Sequence, residues 1–214
     1  MHKTIYDRYD KALISALPLD SFKGRIIVIL TPGETEKAVR YLLSQDILGF
    51  DTETRPSFKK GIQHKVSLLQ VATHDTCFLF RLNHTGLTPA LINLLEDRKV
   101  LKIGLSWHDD SLSLHKLQEF SMGTFVDIQH LAHDLGITDL SLQKIYANLF
   151  GMKISKRQQL SNWEADVLSD KQKLYAATDA WACIRIYEEI TRLKQTNEYN
   201  LIVTTQEEKN ENIT

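Results

Sequence analysis

Ile47-Leu48-Gly49-Phe50-Asp51-Thr52-Glu53-Thr54-Arg55-Pro56 is the stretch from which the rest of the chain can be read. Its apolar start, Ile47 to Phe50, carries no wet face, which fits a strand buried between two layers. The run leads directly into two carboxylates one residue apart, and a proline closes it. In a strand successive side chains alternate, so Asp51 and Glu53 project to one side and Thr52 to the other. Thr52 is accordingly expected to matter least to the acids. Two like charges held that close resist joint ionisation unless a cation neutralises them. Oxygen donors suit hard divalent ions such as magnesium or manganese. Alone, the pair also fits an exposed strand end where acids happen to cluster, so the surrounding chain must decide.

Upstream, Arg25 to Leu30 is rich in β-branched residues and predicts a strand. Thr31-Pro32-Gly33-Glu34 then has the spacing of a capping box with proline at the first helical position, predicting a helix to about Gln45. Ile5, Tyr9, Ala12, Leu13 and Ala16 recur at helical spacing, so the segment from Thr4 to Leu17 is expected to be a helix ended by Pro18. Downstream, Val66 to Ala72 and Thr76 to Phe80 predict two strands joined at His74-Asp75. Thr88-Pro89 opens a helix to about Glu96, Val100 to Gly104 reads as a strand, and a helix is expected from about Asp109 to Gln118. After Asp127 the chain reads as mostly helical, with Ser141 and Ser169 as caps and Gly151 closing the first of these helices. The helix after Ser169 is expected to reach about Lys194, and the polar tail beyond Thr205 to be disordered. Strands and helices mixed around one sheet predict a layered α/β domain.

The 214 residues suffice for one domain with a proper core. With 43% hydrophobic and 25% charged residues, the composition is that of a globular protein. No apolar run is long enough to span a bilayer and the polar start lacks a signal-peptide apolar region, so a soluble cytoplasmic protein is expected. Cys77 and Cys183 stand alone in apolar settings and read as buried free thiols. His130 and His133 lack a third partner at zinc spacing and read as solvated or capping residues. A net charge of -1 excludes a protein that holds nucleic acid by bulk electrostatics, though not a local groove. Between Leu140 and Trp163 lie Lys144, Lys153, Lys156 and Arg157 with no acid, either a solvated loop or a phosphate-contacting edge.

Two further segments complement the acid pair. Lys102-Ile103-Gly104-Leu105-Ser106-Trp107-His108-Asp109-Asp110 ends a strand and places acids at the start of a helix. Tyr175-Ala176-Ala177-Thr178-Asp179 sets Tyr175 and Asp179 on one helical face, with small residues leaving room for approach. In this order and context, the three segments resemble the motifs of the DEDD superfamily of 3′-5′ exonucleases, in its tyrosine-containing branch with ribonuclease D and the Werner syndrome exonuclease domain. Ser67 to Ala72 and Leu160-Ser161-Asn162-Trp163 are similar to further signatures of that branch, and the likeness covers roughly Arg25 to Leu193. Val167-Leu168 departs from it, because members often carry proline before that leucine.

The resemblance implies a ribonuclease H-like mixed sheet flanked by helices. With the helical spacing before Pro18 and the polar composition after Lys194, the expected division is residues 1–24 as an N-terminal helical extension, 25–194 as the exonuclease domain and 195–214 as a polar, partly disordered tail. The resemblance also implies removal of nucleotides from a 3′ end, on a single strand or a recessed end, with two divalent ions, Mg2+ or Mn2+. Position by position, Asp51 would bridge both ions, Glu53 and Asp179 would hold the water-activating ion, and Asp110 would serve the second. Asp109 beside Asp110 is a competing candidate that spacing from Gly104 disfavours. Tyr175 would orient the attacking water, and Lys153, Lys156 and Arg157 would meet strand phosphates. Trp163 is expected to pack rather than stack a base. The competing expectation is a catalytically silent nucleic-acid-binding or scaffolding module of the same fold, and a third is a nuclease making internal cuts.

Overall fold

The computed structural model describes residues 2–204. The chain opens with a strand, β1 (Lys3–Tyr6), and a one-turn helix, α1 (Lys11–Ile14). The single helix expected over Thr4 to Leu17 is thus corrected. Ile5 is fully buried within β1, and the Asp10 carboxylate starts a fresh helix by accepting from the Ala12 N–H at 2.8 Å. The helical spacing was real, but the partner that makes β1 a strand lies at Tyr199–Ile202, too far along the chain for a local pattern to reveal.

β2 (Arg25–Ile29) leads into α2 (Pro32–Leu42). The expected capping box is formed there: the Thr31 hydroxyl accepts from the Glu34 N–H at 3.3 Å, and the Glu34 carboxylate accepts from the Thr31 N–H at 3.0 Å. β3 (Ile47–Thr54) is the decisive stretch, and β4 (Val66–Ala72) and β5 (Thr76–Arg81) form the expected hairpin. A short α3 (Leu82–Thr85) and α4 (Pro89–Glu96) lead to β6 (Leu101–Gly104), α5 (Trp107–His115) and β7 (Phe125–Asp127). Then come α6 (Ile128–Asp134), α7 (Leu142–Phe150), α8 (Asp170–Thr196) and β8 (Tyr199–Ile202). β8 pairs in parallel with β1 where the sequence suggested polar tail; the disorder expected beyond Thr205 lies outside the described residues.

The main sheet has the order β2-β5-β4-β3-β6-β7. β3 pairs antiparallel with β4 and parallel with β6, which makes the sheet mixed and puts the acid-bearing strand in its interior. Leu48 and Phe50 point to one face, where they pack with Val39 and Leu42 of α2, Leu91 and Leu94 of α4 and Trp107 of α5. The other face carries Leu68, Ala72 and Leu79 beneath Ala176, Ala177 and Ala180 of α8. This is the expected ribonuclease H-like arrangement of a mixed sheet with helices on both faces. Among the described residues no helix is long and apolar enough to cross a membrane.

Candidate active site

Alternation along β3 puts Gly49, Asp51 and Glu53 on the face that α8 covers. Gly49 permits the close approach: a Cβ there would sit 1.9 Å from the Ala180 carbonyl oxygen. Ala176, Ala177 and Ala180 keep the helix side of this contact equally thin, so the backbones come together and Asp179 arrives beside Asp51. α8 itself is fixed at its start by a capping box, with the Ser169 hydroxyl accepting from the Gln172 N–H at 3.3 Å and the Gln172 side-chain amide oxygen accepting from the Ser169 N–H at 3.0 Å.

Carboxylate oxygens of Asp51, Glu53 and Asp179 lie within 4.8 Å of one another. Burial and mutual repulsion push these acids toward their neutral forms. Glu53 is raised to about 9, first by burial and then by the charges of Asp179 and Asp110. Asp51 is raised well above the ordinary range by burial, followed by Asp110, Asp179 and Glu53. Asp179 rises to about 7 through burial, opposed by the Tyr175 hydroxyl and the Lys156 ammonium. An all-oxygen donor set with this much uncompensated negative charge fits a hard divalent cation.

Asp110 reaches the same region from α5. Ser106, at φ +52°, turns the chain sharply out of β6. The Asp127 carboxylate holds this turn by accepting from the N–H groups of Ser106 at 3.2 Å and Trp107 at 3.0 Å. Asp110 is raised to about 6 by burial, opposed by a hydrogen bond from Thr52, whose hydroxyl donates to its carboxylate at 2.5 Å. Thr52, expected to matter least to the acids, thus touches one of the candidate acids. Alternation does point it away from Asp51 and Glu53, but the face it points to holds the start of α5 rather than solvent. Asp109 is exposed. Neither Thr52 nor Asp127 was assigned a role from sequence; an acid opening α6 on the strand beside β6 was the one available sign for Asp127.

The cleft lined by Asp51, Glu53 and Asp179 has a volume of about 230 Å3, and Tyr175, Lys156 and Gln159 are among its other lining residues. Burial, then the charges of Asp179 and Glu53, pushes the Tyr175 phenol far up, so it stays protonated. Its ring packs on Trp163, which is fully buried, as expected of a packing residue. Of the three expected phosphate contacts, Lys156 alone lines the acid cleft. Lys153 is tied to the N-terminal segment, its ammonium bonding the Ser15 carbonyl, and Arg157 lines the neighbouring cavity. The free thiols of Cys77 and Cys183 are buried as expected, and His130 and His133 are exposed.

The family model described as 3′-5′ exonuclease matches residues 26–194. A 3′-5′ exonuclease of Arabidopsis thaliana is 30% identical over 203 residues, covering 86% of this chain and 70% of that protein. The bifunctional 3′-5′ exonuclease/ATP-dependent helicase WRN of Mus musculus is 29% identical over 190 residues, 84% of this chain but 14% of that much longer protein. In fold, the chain matches the Nibbler EXO domain of Aedes aegypti with a TM-score of 0.74 at 23% identity, over 82% of this chain and 93% of that one. The acid-lined cleft, the mixed sheet and these similarities lead to one classification: the chain belongs to the 3′-5′ exonuclease family, within the DEDD-type superfamily.

Proposed function

We propose that this chain hydrolyses phosphodiester bonds at the 3′ end of a single strand or a recessed end, releasing nucleotides one at a time, with two divalent ions, Mg2+ or Mn2+. The observation that carries the reading is the set of three carboxylates within 4.8 Å of one another, beside a protonated tyrosine and a single lysine. Asp51, Glu53 and Asp179 would hold one ion, with Asp51 shared and Asp110 serving the second. Bound there, divalent ions supply charge stabilisation to the attacking and leaving oxygens of an in-line displacement.

The chain's own groups do the rest. Tyr175, kept protonated by burial and its acidic neighbours, positions the attacking water by a hydrogen bond; a phenol that resists ionisation suits this role better than that of base. Lys156 faces the acids and offers its ammonium to the scissile phosphate. Asp51, Glu53 and Asp179 are held on a sheet interior and a long capped helix, so their geometry is set before substrate arrives.

The test is digestion of a 5′-labelled single strand and of a duplex with a recessed 3′ end, with magnesium or manganese. The expected result is a ladder shortening from the 3′ end with release of mononucleotides, abolished by chelator and by Asp51→Ala. Unchanged activity in Asp51→Ala overturns the assignment. Tight strand binding with no mononucleotide release in either metal favours the silent module instead, and internal fragments favour the internal-cutting nuclease.

A further inference from the structure

Gln70 lies in the middle of β4, fully buried, and neither its amide nitrogen nor its amide oxygen has a hydrogen-bond partner. An orphaned amide in an interior is costlier than an apolar side chain of the same shape, so its presence there needs a reason. The other buried side-chain polar atoms without a partner among the described residues are Arg81 Nε and Trp163 Nε1. Both are donors and could use only the amide oxygen of Gln70. Its N–H groups still need an acceptor.

The sheet narrows the choice of acceptor to one side chain. Asp51 stands directly opposite Gln70 in the antiparallel ladder, and the register shift of that pair falls only beyond Glu53. Residues opposite one another share a face, with Cβ atoms about 4.5–5.5 Å apart. On its other side Gln70 is opposite Leu79 of β5, and Leu68 and Ala72 flank it along its own strand. Ala176, Ala177 and Ala180 of α8 pack on these apolar neighbours. Asp51 is thus the one polar side chain among the four that surround Gln70 on this face.

A carboxylate that ligates a metal keeps lone pairs free of it, and a buried donor filling one of them fixes the orientation of the ligand. We infer that Gln70 is a positioning residue of the candidate metal site: its side-chain amide donates to the Asp51 carboxylate when a divalent cation is held there, and goes unbonded without one. The inference rests on the metal-dependent reading above and deepens it. Gln70 touches no substrate and acts through Asp51, the ligand proposed to be shared by both ions.

The experiment compares the full chain with Gln70→Met, which keeps the length of the side chain and removes its donor and acceptor. Melting in chelator and calorimetric titration with Mn2+ are the readouts. The melting temperature in chelator is expected to rise in Gln70→Met, because an orphaned amide has gone, while Mn2+ affinity falls by about tenfold. A residue with only a structural role would not move the two in opposite directions. A second measurement needs no variant: in isotope-labelled wild-type protein, a side-chain amide proton of Gln70 is expected to shift downfield in NMR spectra as Mg2+ is added. Unchanged Mn2+ affinity in Gln70→Met, or amide protons that stay in place at saturating Mg2+, overturns the role. A lower melting temperature of Gln70→Met in chelator overturns it too, because the amide would then be bonded without metal. A wild-type chain that binds neither ion sinks the metal-dependent reading itself and the role of Gln70 with it, a result distinct from a wild type that binds and a variant that binds equally well.

Discussion

A single carboxylate, Asp20, and a group of three, Asp51, Glu53 and Asp179, meet at α8, and they are neutralised in opposite ways. Asp20 meets Arg185 at 2.9 Å and the Tyr146 hydroxyl at 2.6 Å, and the Arg185 guanidinium lies over the Phe150 ring at 4.5 Å. Every charge there has its partner within the chain, and the result is a fastening that holds the N-terminal segment to the domain. Six residues before Arg185 on the same helix, Asp179 joins Asp51 and Glu53, on both of which Asp110 also acts, and Lys156 is the cation acting on Asp179. A compensated acid holds structure. A group of acids left largely uncompensated costs stability, and its retention makes sense when a cation comes from outside.

The largest expected effect is at Asp51. Asp51→Asn should lower exonuclease activity by on the order of 10^3-fold, the scale of losing one preorganised electrostatic partner of the transition state. In chelator the same substitution should raise the melting temperature, because it relieves repulsion among buried acids. A melting temperature that falls in chelator would erase the contrast with Asp20.

The pH dependence follows with a definite sign. Glu53, Asp179 and Asp110 have pKa values raised to about 9, 7 and 6, so above about pH 4.5 the folded state binds more protons than the unfolded one. Their contribution to metal-free stability is therefore full at acid pH and is lost as pH rises through about 6 to 9. Divalent ions need the deprotonated acids, so their stabilising effect should grow over the same range. Melting curves in chelator and in magnesium, taken across this window, should diverge as pH rises; parallel curves would count against an uncompensated cluster.

At the fastening, Asp20→Asn should cost about 2 kcal/mol in denaturant unfolding, the scale of a hydrogen bond to a charged group, because Arg185 is left without its acid. The smallest effect expected is at Thr52. Thr52→Val should weaken Mn2+ binding by about tenfold, as loss of a group that orients a ligand does, while Thr52→Ser retains the hydroxyl and the affinity. Equal affinities in the two variants would show that the bond to Asp110 has no part in orienting it.

Only the acid side of this contrast is legible in the sequence; the Asp20–Arg185 fastening is not. Strand alternation alone placed Asp51 and Glu53 together, and the capping boxes at Thr31 and Ser169 fixed the starts of α2 and α8, because both signals are local. What escaped the sequence is long-range. The pairing of β1 with β8 joins Ile5 to Leu201, so no window of the chain contains both strands. Asp127 holds the turn at Ser106 from an adjacent strand, and Thr52 meets Asp110 because α5 packs on the face that alternation seemed to leave idle. Likewise, the basic run 153–157 was visible as charge. That Lys156 faces the acids while Lys153 fastens the N-terminal segment depends on how the loop folds.

The central claim, that these acids await a divalent cation, is tested most directly by calorimetric titration of the metal-free protein with Mn2+ at about pH 7, in two buffers of different ionisation enthalpy. The account predicts binding accompanied by proton release, lost in Asp51→Asn and kept in Asp20→Asn. Absence of binding, or binding that releases no protons and survives Asp51→Asn, would contradict it.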